Sequence, residues 1–67
     1  MTFTMREMQV VQGVADGLLD KEIADRICIS RKTVKFYLCR VYEKLGFNGA
    51  GSRYKLMRYC FKEGIAR

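Results

Sequence analysis

The sequence predicts an all-α domain of four helices. Three observations carry that prediction. Helix-start and helix-stop residues recur along the chain, and the apolar residues between them repeat at three- and four-residue spacing. No segment sustains the period-two alternation of a half-buried strand, and proline is absent. A length of 67 residues leaves room for one domain, residues 1–67, with a modest core.

The first helix starts at Thr4. Thr4-Met5-Arg6-Glu7 has the pattern of a capping box, in which the Thr hydroxyl accepts an amide and the Glu carboxylate reaches back. Phe3 and Met8 are placed to staple that end. Val11, Val14, Ala15 and Leu18 form the inner stripe, Gly13 interrupts the helix at a cost of about 1 kcal/mol relative to Ala, and Gly17 ends it. The second helix is short, about Asp20 to Cys28, with Asp20 as its cap, Glu22 in its first turn, and Ile23, Ala24 and Ile27 facing inward. Ile29 points inward from the connection. Ser30 caps the third helix, about residues 31–45, and Gly46 stops it. Asn48-Gly49-Ala50-Gly51 reads as a loop, after which Ser52 caps a fourth helix over about 52–63 with Leu56, Met57 and Cys60 on its apolar side and Phe61 equally suited to core or dimer surface.

Composition narrows the function. The chain has no His, and Cys28, Cys39 and Cys60 are widely spaced, so neither zinc frameworks nor thiol–imidazole catalysis can be assembled. No glycine-rich phosphate loop follows a strand pattern. The expectation is a non-enzyme with reduced thiols, no cofactor, no metal and no small-molecule ligand. No apolar run approaches the roughly 20 residues of a membrane span, and the start, Met1-Thr2-Phe3-Thr4, lacks the basic and apolar regions of a secretory signal, so a cytoplasmic location is expected.

The net charge is +6 and unevenly spread. Residues 1–30 carry Arg6, Lys21 and Arg26 against Glu7, Asp16, Asp20, Glu22 and Asp25. Residues 31–47 carry Arg31, Lys32, Lys35, Arg40 and Lys44 against Glu43 alone, and residues 48–67 repeat the excess with Arg53, Lys55, Arg58, Lys62 and Arg67 against Glu63. A basic C-terminal part suits a polyanionic partner.

The third helix sharpens this. At about 100° per residue, Val34, Leu38, Val41 and Leu45 share one side, and Lys32, Lys35, Phe36, Cys39 and Glu43 lie opposite. Arg31 and Tyr42 flank one edge, and Thr33, Arg40 and Lys44 the other. An exposed face that mixes lysines with a Phe and a Cys is unusual for a merely solvated helix. In a major groove the cations would meet phosphates or guanine edges and the apolar groups a thymine methyl. A short helix, a tight turn at Cys28-Ile29-Ser30 and a longer capped helix make a helix-turn-helix over about residues 20–45, with Ala24 small where the two helices approach.

These residues resemble the LuxR/GerE-type DNA-binding domains of bacterial transcription regulators, in the winged-helix-like superfamily. The matching positions are Thr4, Arg6-Glu7, Val10, Gly17, Lys21-Glu22-Ile23-Ala24, Ile29-Ser30, Thr33-Val34-Lys35 and Lys44-Leu45-Gly46, with Arg53 at the basic position before the last helix. The resemblance spans nearly the whole chain. It implies a four-helix fold, transcription regulation, binding to double-stranded DNA through helix three and a homodimer through helix four. Lys21 and Thr33 fall where the family contacts phosphates, and Lys35, Phe36 and Cys39 where it reads base edges. With Arg31, Lys32 and Arg40 from the exposed face, these complete the expected DNA-binding set. The chain departs from the family pattern at Gly13 for a core Leu, Leu19 for a capping Ser, Tyr37 for a frequent His, Phe36 and Cys39 at base-facing positions, and an insertion at residues 49–51.

Two rival functions remain at this point. The fold could serve a protein partner, with Phe36 and Tyr54 or Phe61 as anchors. The aromatic residues, four Tyr and four Phe, could instead stack on RNA bases.

Overall fold

A computed structural model describes residues 3–65, so the two ends of the expected 1–67 domain lie outside the described residues. It contains four helices and, among those residues, no strand: α1 Met5–Ala15, α2 Asp20–Ile27, α3 Arg31–Leu45 and α4 Ser52–Lys62. Helix α1 is the hub, packing on α2, α3 and α4, while α2 also packs on α3. Val10, Val11 and Val14 of α1, Ile23 and Ala24 of α2, Val34, Leu38 and Val41 of α3, and Leu56 and Cys60 of α4 form the core. Burial of these side chains drives the packing.

The expected capping box at α1 is present: the Glu7 amide donates to Thr4 Oγ1 at 3.2 Å and the Thr4 amide to Glu7 Oε1 at 2.8 Å. Phe3 packs on the core, with the Lys44 ammonium 5.8 Å from its ring centroid, and Met8 is exposed. At α3, Ser30 Oγ accepts the Thr33 amide at 3.1 Å as expected. Gly46 ends that helix at φ 74°, a left-handed conformation that favours glycine, and Phe47 folds back to donate to Tyr42 O at 2.9 Å.

Three local expectations are corrected. Leu19, not Asp20, occupies the cap of α2; the Glu22 carboxylate accepts the Leu19 amide at 2.8 Å, which frees Asp20 for a tertiary contact. Gly51, not Ser52, precedes α4, at φ 86°, and the buried Ser52 hydroxyl donates to Gly49 O at 2.7 Å, closing the 48–51 loop on itself. Met57 does not join the core, and Phe61, which suited either core or surface, is exposed. Leu56 and Cys60 are the fully buried apolar residues of α4, and the Cys60 thiol, its pKa pushed up by burial, points at Val11 O at 3.9 Å.

Gly13 has a packing reason. A Cβ built there would lie 2.6 Å from Ile23 Cγ1, on a fully buried side chain, so α1 and α2 approach too closely for any larger residue. Gly13→Ala should therefore lower stability by about 1–3 kcal/mol, although Ala is the better helix former. Urea denaturation measures it, and a stabilised variant would contradict the close approach.

Glu7 is more than a cap. Its side chain is 1% exposed; Oε1 accepts from Lys44 Nζ at 2.5 Å and Oε2 from Arg40 Nε at 3.4 Å. The Lys44 contact and the Thr4 amide outweigh burial and hold its carboxyl at a pKa of about 2, below the usual 4.5. A depressed carboxylate contributes stability that is present above the unfolded value and lost as pH falls through the folded one. Thermal melts should show the wild type losing stability as pH drops from 4.5 toward about 2, with a shallower loss over that window in Glu7→Gln. Parallel slopes would contradict this.

Candidate nucleic-acid interface

The turn between α2 and α3 sets the interface. Cys28 ends α2 in the left-handed region, φ 59° and ψ 44°, the only non-glycine described residue with positive φ. Ile29 then donates to Ala24 O at 3.0 Å and tucks its half-buried side chain on the core. This reversal brings the start of α3 beside the start of α2.

A groove of about 710 Å³ results, lined by Leu19, Asp20, Lys21, Arg31, Lys32, Lys35 and Arg53. Four of the expected contact residues, Lys21, Arg31, Lys32 and Lys35, therefore converge on one concavity. All four are exposed, and none forms an ion pair among the described residues. Phe36 (54% exposed) and Cys39 are exposed on α3 outside that lining.

Thr33 and Arg40 stand apart from the groove. Thr33 is half-buried, and its hydroxyl shares a 2.8 Å hydrogen bond with Ser30 Oγ in the cap. Arg40 is exposed but committed: it reaches back to Glu7, and its guanidinium lies 5.7 Å from the Phe36 ring centroid. The two residues so stabilise α3 itself, at its cap and against α1.

Sequence reasoning missed the brace behind the groove. Arg53 Nη1 donates to Asp20 Oδ1 at 2.6 Å and Nη2 to Leu18 O, tying α4 to the start of α2. Arg53 lies inside α4, not before it. The pair is 33 residues apart, and no local pattern announces it. A second clip is legible only in three dimensions: Arg6 Nη1 donates to Ile27 O at 3.1 Å, holding the end of α2 against the start of α1. Tyr42, beside Asp20 and Arg53, has its phenol pKa raised mainly by burial.

Two helices joined by this turn, with a basic exposed face on the second, define a helix-turn-helix domain. The family model for bacterial regulatory proteins of the luxR family matches residues 1–60, and the chain belongs to that family. It is 38% identical over 63 residues to the response regulator Rre1 of Synechocystis, a match covering 94% of this chain and 26% of that protein. To the transcriptional regulatory protein YxjL of Bacillus subtilis it is 32% identical over 65 residues, covering 97% of this chain and 28% of that protein. To the probable transcriptional regulatory protein SgaR of Hyphomicrobium methylovorum it is 42% identical over 45 residues, covering 67% of this chain and 21% of that protein. The chain thus spans about a quarter of the length of these relatives. No solved structure matches it. The family is one of transcription regulators, not of enzymes. No described helix is long and apolar enough to cross a membrane.

The left-handed Cys28 gives a test of the turn. Cys28→Gly removes a Cβ from a conformation that disfavours it and should stabilise the domain by about 1 kcal/mol, whereas Cys28→Ala should not. Denaturation midpoints of the two variants make the comparison, and equal midpoints would contradict the turn geometry.

Proposed function

We propose that this domain regulates transcription by binding double-stranded DNA with α3 in the major groove. The observation that carries the reading is the convergence of Lys21, Arg31, Lys32 and Lys35, none ion-paired among the described residues, on the groove between the starts of α2 and α3. Cations left unpaired on a surface that also holds Asp20 and Arg53 in a closed pair suit an external polyanion. Lys21, Arg31 and Lys32 are assigned to phosphates at the groove edge, and Lys35, Phe36 and Cys39 to base edges. Thr33 and Arg40 support the helix at its start and middle, with phosphates within reach of both. A duplex-DNA partner implies residence in the bacterial cytoplasm, on the nucleoid.

The outer face of α4 supports a homodimer. Tyr54, Met57 and Phe61 recur at helical spacing and are all exposed, Phe61 to 79%. An apolar stripe of this kind on a small domain marks an interaction surface, and a two-fold pairing through it would place two copies of α3 on successive half-sites. Phe61→Glu should leave the fold intact and reduce self-association on half-site-paired duplexes, read by sedimentation.

Binding itself is tested by fluorescence anisotropy with duplexes selected from a random pool. Lys35→Ala should weaken binding about tenfold and relax base preference at one position, within the roughly 1–3 kcal/mol of a base-reading contact. Lys32→Ala should weaken binding across sequences and reduce the salt slope by about 1. A chain with no duplex affinity at low salt would overturn the proposal.

A further inference from the structure

We infer that Phe36 is a preorganised reader of the thymine C5 methyl group and sets the sequence preference of this domain. The inference rests on the reading of α3 as the helix in the major groove.

Three observations carry it. The first is exposure. Phe36 leaves over half of its surface in water on the face opposite Val34, Leu38 and Val41, so it contributes little to the core. The second is its surroundings. On a helix the surface neighbours of a residue are three and four positions away. For Phe36 these are Lys32, Thr33, Cys39 and Arg40, with Lys35 adjacent in sequence. An aromatic ring beside the Cys39 side chain therefore forms a small apolar notch inside a rim of cations. The third is order. The Arg40 guanidinium lies 5.7 Å from the ring centroid and is itself tied to Glu7. Tyr37 meets the ring edge-on, with centroids 5.6 Å apart and planes at 65°. Contacts on two sides hold the ring outward, so little side-chain freedom is left to lose on binding.

The duplex supplies one matching surface. Phosphates line the edges of the major groove, and base edges form its floor. Among those edges the hydrogen-bonding groups of all four bases are polar, and the C5 methyl of thymine is the one apolar group presented. A cationic rim around an apolar centre is complementary to that arrangement. An apolar protein surface would satisfy Phe36 but leave Lys32 and Lys35 facing it without counter-charge, a poor match at an interface. A single-stranded RNA would offer a base face for stacking, yet Arg40 already covers part of the ring on one side.

The test removes the methyl group and nothing else. Duplexes selected by the full chain are resynthesised with each thymidine of the bound half-site replaced in turn by deoxyuridine. Affinities are then measured by anisotropy for the wild type, Phe36→Ala and Phe36→Leu, with thermal melts confirming that both variants are folded. Burying one methyl is worth roughly a three- to fivefold change in affinity. The expected result is one position where deoxyuridine weakens wild-type binding by about that factor. The same replacement should change Phe36→Ala by less than about twofold, and Phe36→Leu, which keeps an apolar contact, should retain part of the penalty. A wild type indifferent to deoxyuridine at every position overturns the inference, as does an equal penalty in Phe36→Ala. Either result leaves duplex binding standing. A chain that selects no duplex overturns the DNA-binding reading and this inference with it.

Discussion

The orientation of α3 depends on one buried carboxylate. The apolar core requires α3 to turn Val34, Leu38 and Val41 inward, but burial is non-directional and tolerates small rotations and slides. Glu7 removes that tolerance. It accepts from the Thr4 amide and Lys44 at one oxygen and from Arg40 at the other, so the start of α1 is tied to two successive turns of α3. A buried charge must be paired, and pairing is directional. Because Arg40 also lies over Phe36, the same carboxylate indirectly orders the ring on the outer face. The capping box thus starts a helix and sets a neighbouring helix with the same side chain.

The other cations divide along similar lines. Arg53 is held by Asp20 and Leu18 O, and Arg6 by Ile27 O. Arg26 forms a surface pair with Asp16 at 2.8 Å. These contacts brace α2 against both ends of α1 and against α4. The braces matter because α2 has only eight residues and a short helix has little intrinsic stability. With α2 held, Lys21 faces the start of α3, and Lys21, Arg31, Lys32 and Lys35 line the shared groove with no ion pair among the described residues. The net charge of +6 therefore combines structural cations committed to carboxylates and carbonyls, the cluster along the groove, and further exposed cations on α4.

Much of this was legible beforehand. All four helices lie where caps, stops and apolar spacing put them, because those signals act over a few residues and do not need the rest of the chain. The exposed face of α3 was legible for the same reason, since a 3.6-residue period and a known inner stripe determine what lies opposite. The errors fall where a residue had two acceptable local roles. Asp20 and Ser52 both suit a helix cap, but Glu22 satisfies the first turn of α2 without Asp20, and Gly51 makes a tighter entry to α4 than Ser52 could. Hydrophobicity alone placed Met57 inside and left Phe61 undecided. The core has space on α4 for Leu56 and Cys60, and their neighbours turn outward.

By itself the sequence determined the helix count, the helix-turn-helix, the family and the residues on the outer face of α3. The helix count, the helix-turn-helix and the outer face follow from local propensity or from the angular geometry of a single helix, and the family follows from the resemblance of runs such as Lys21-Glu22-Ile23-Ala24 and Lys44-Leu45-Gly46. The tertiary structure decided which of the basic residues are available. Arg40, Lys44 and Arg53 look no different in sequence from Lys32 and Lys35, but their partners lie 33 or more residues away, at Glu7 and Asp20. Gly13 is similar: as a helix residue it is a defect, and only the buried Ile23 side chain pressed against it gives it a purpose. Long-range pairing and close approach depend on how helices are set against one another, and that is a property of the assembled core.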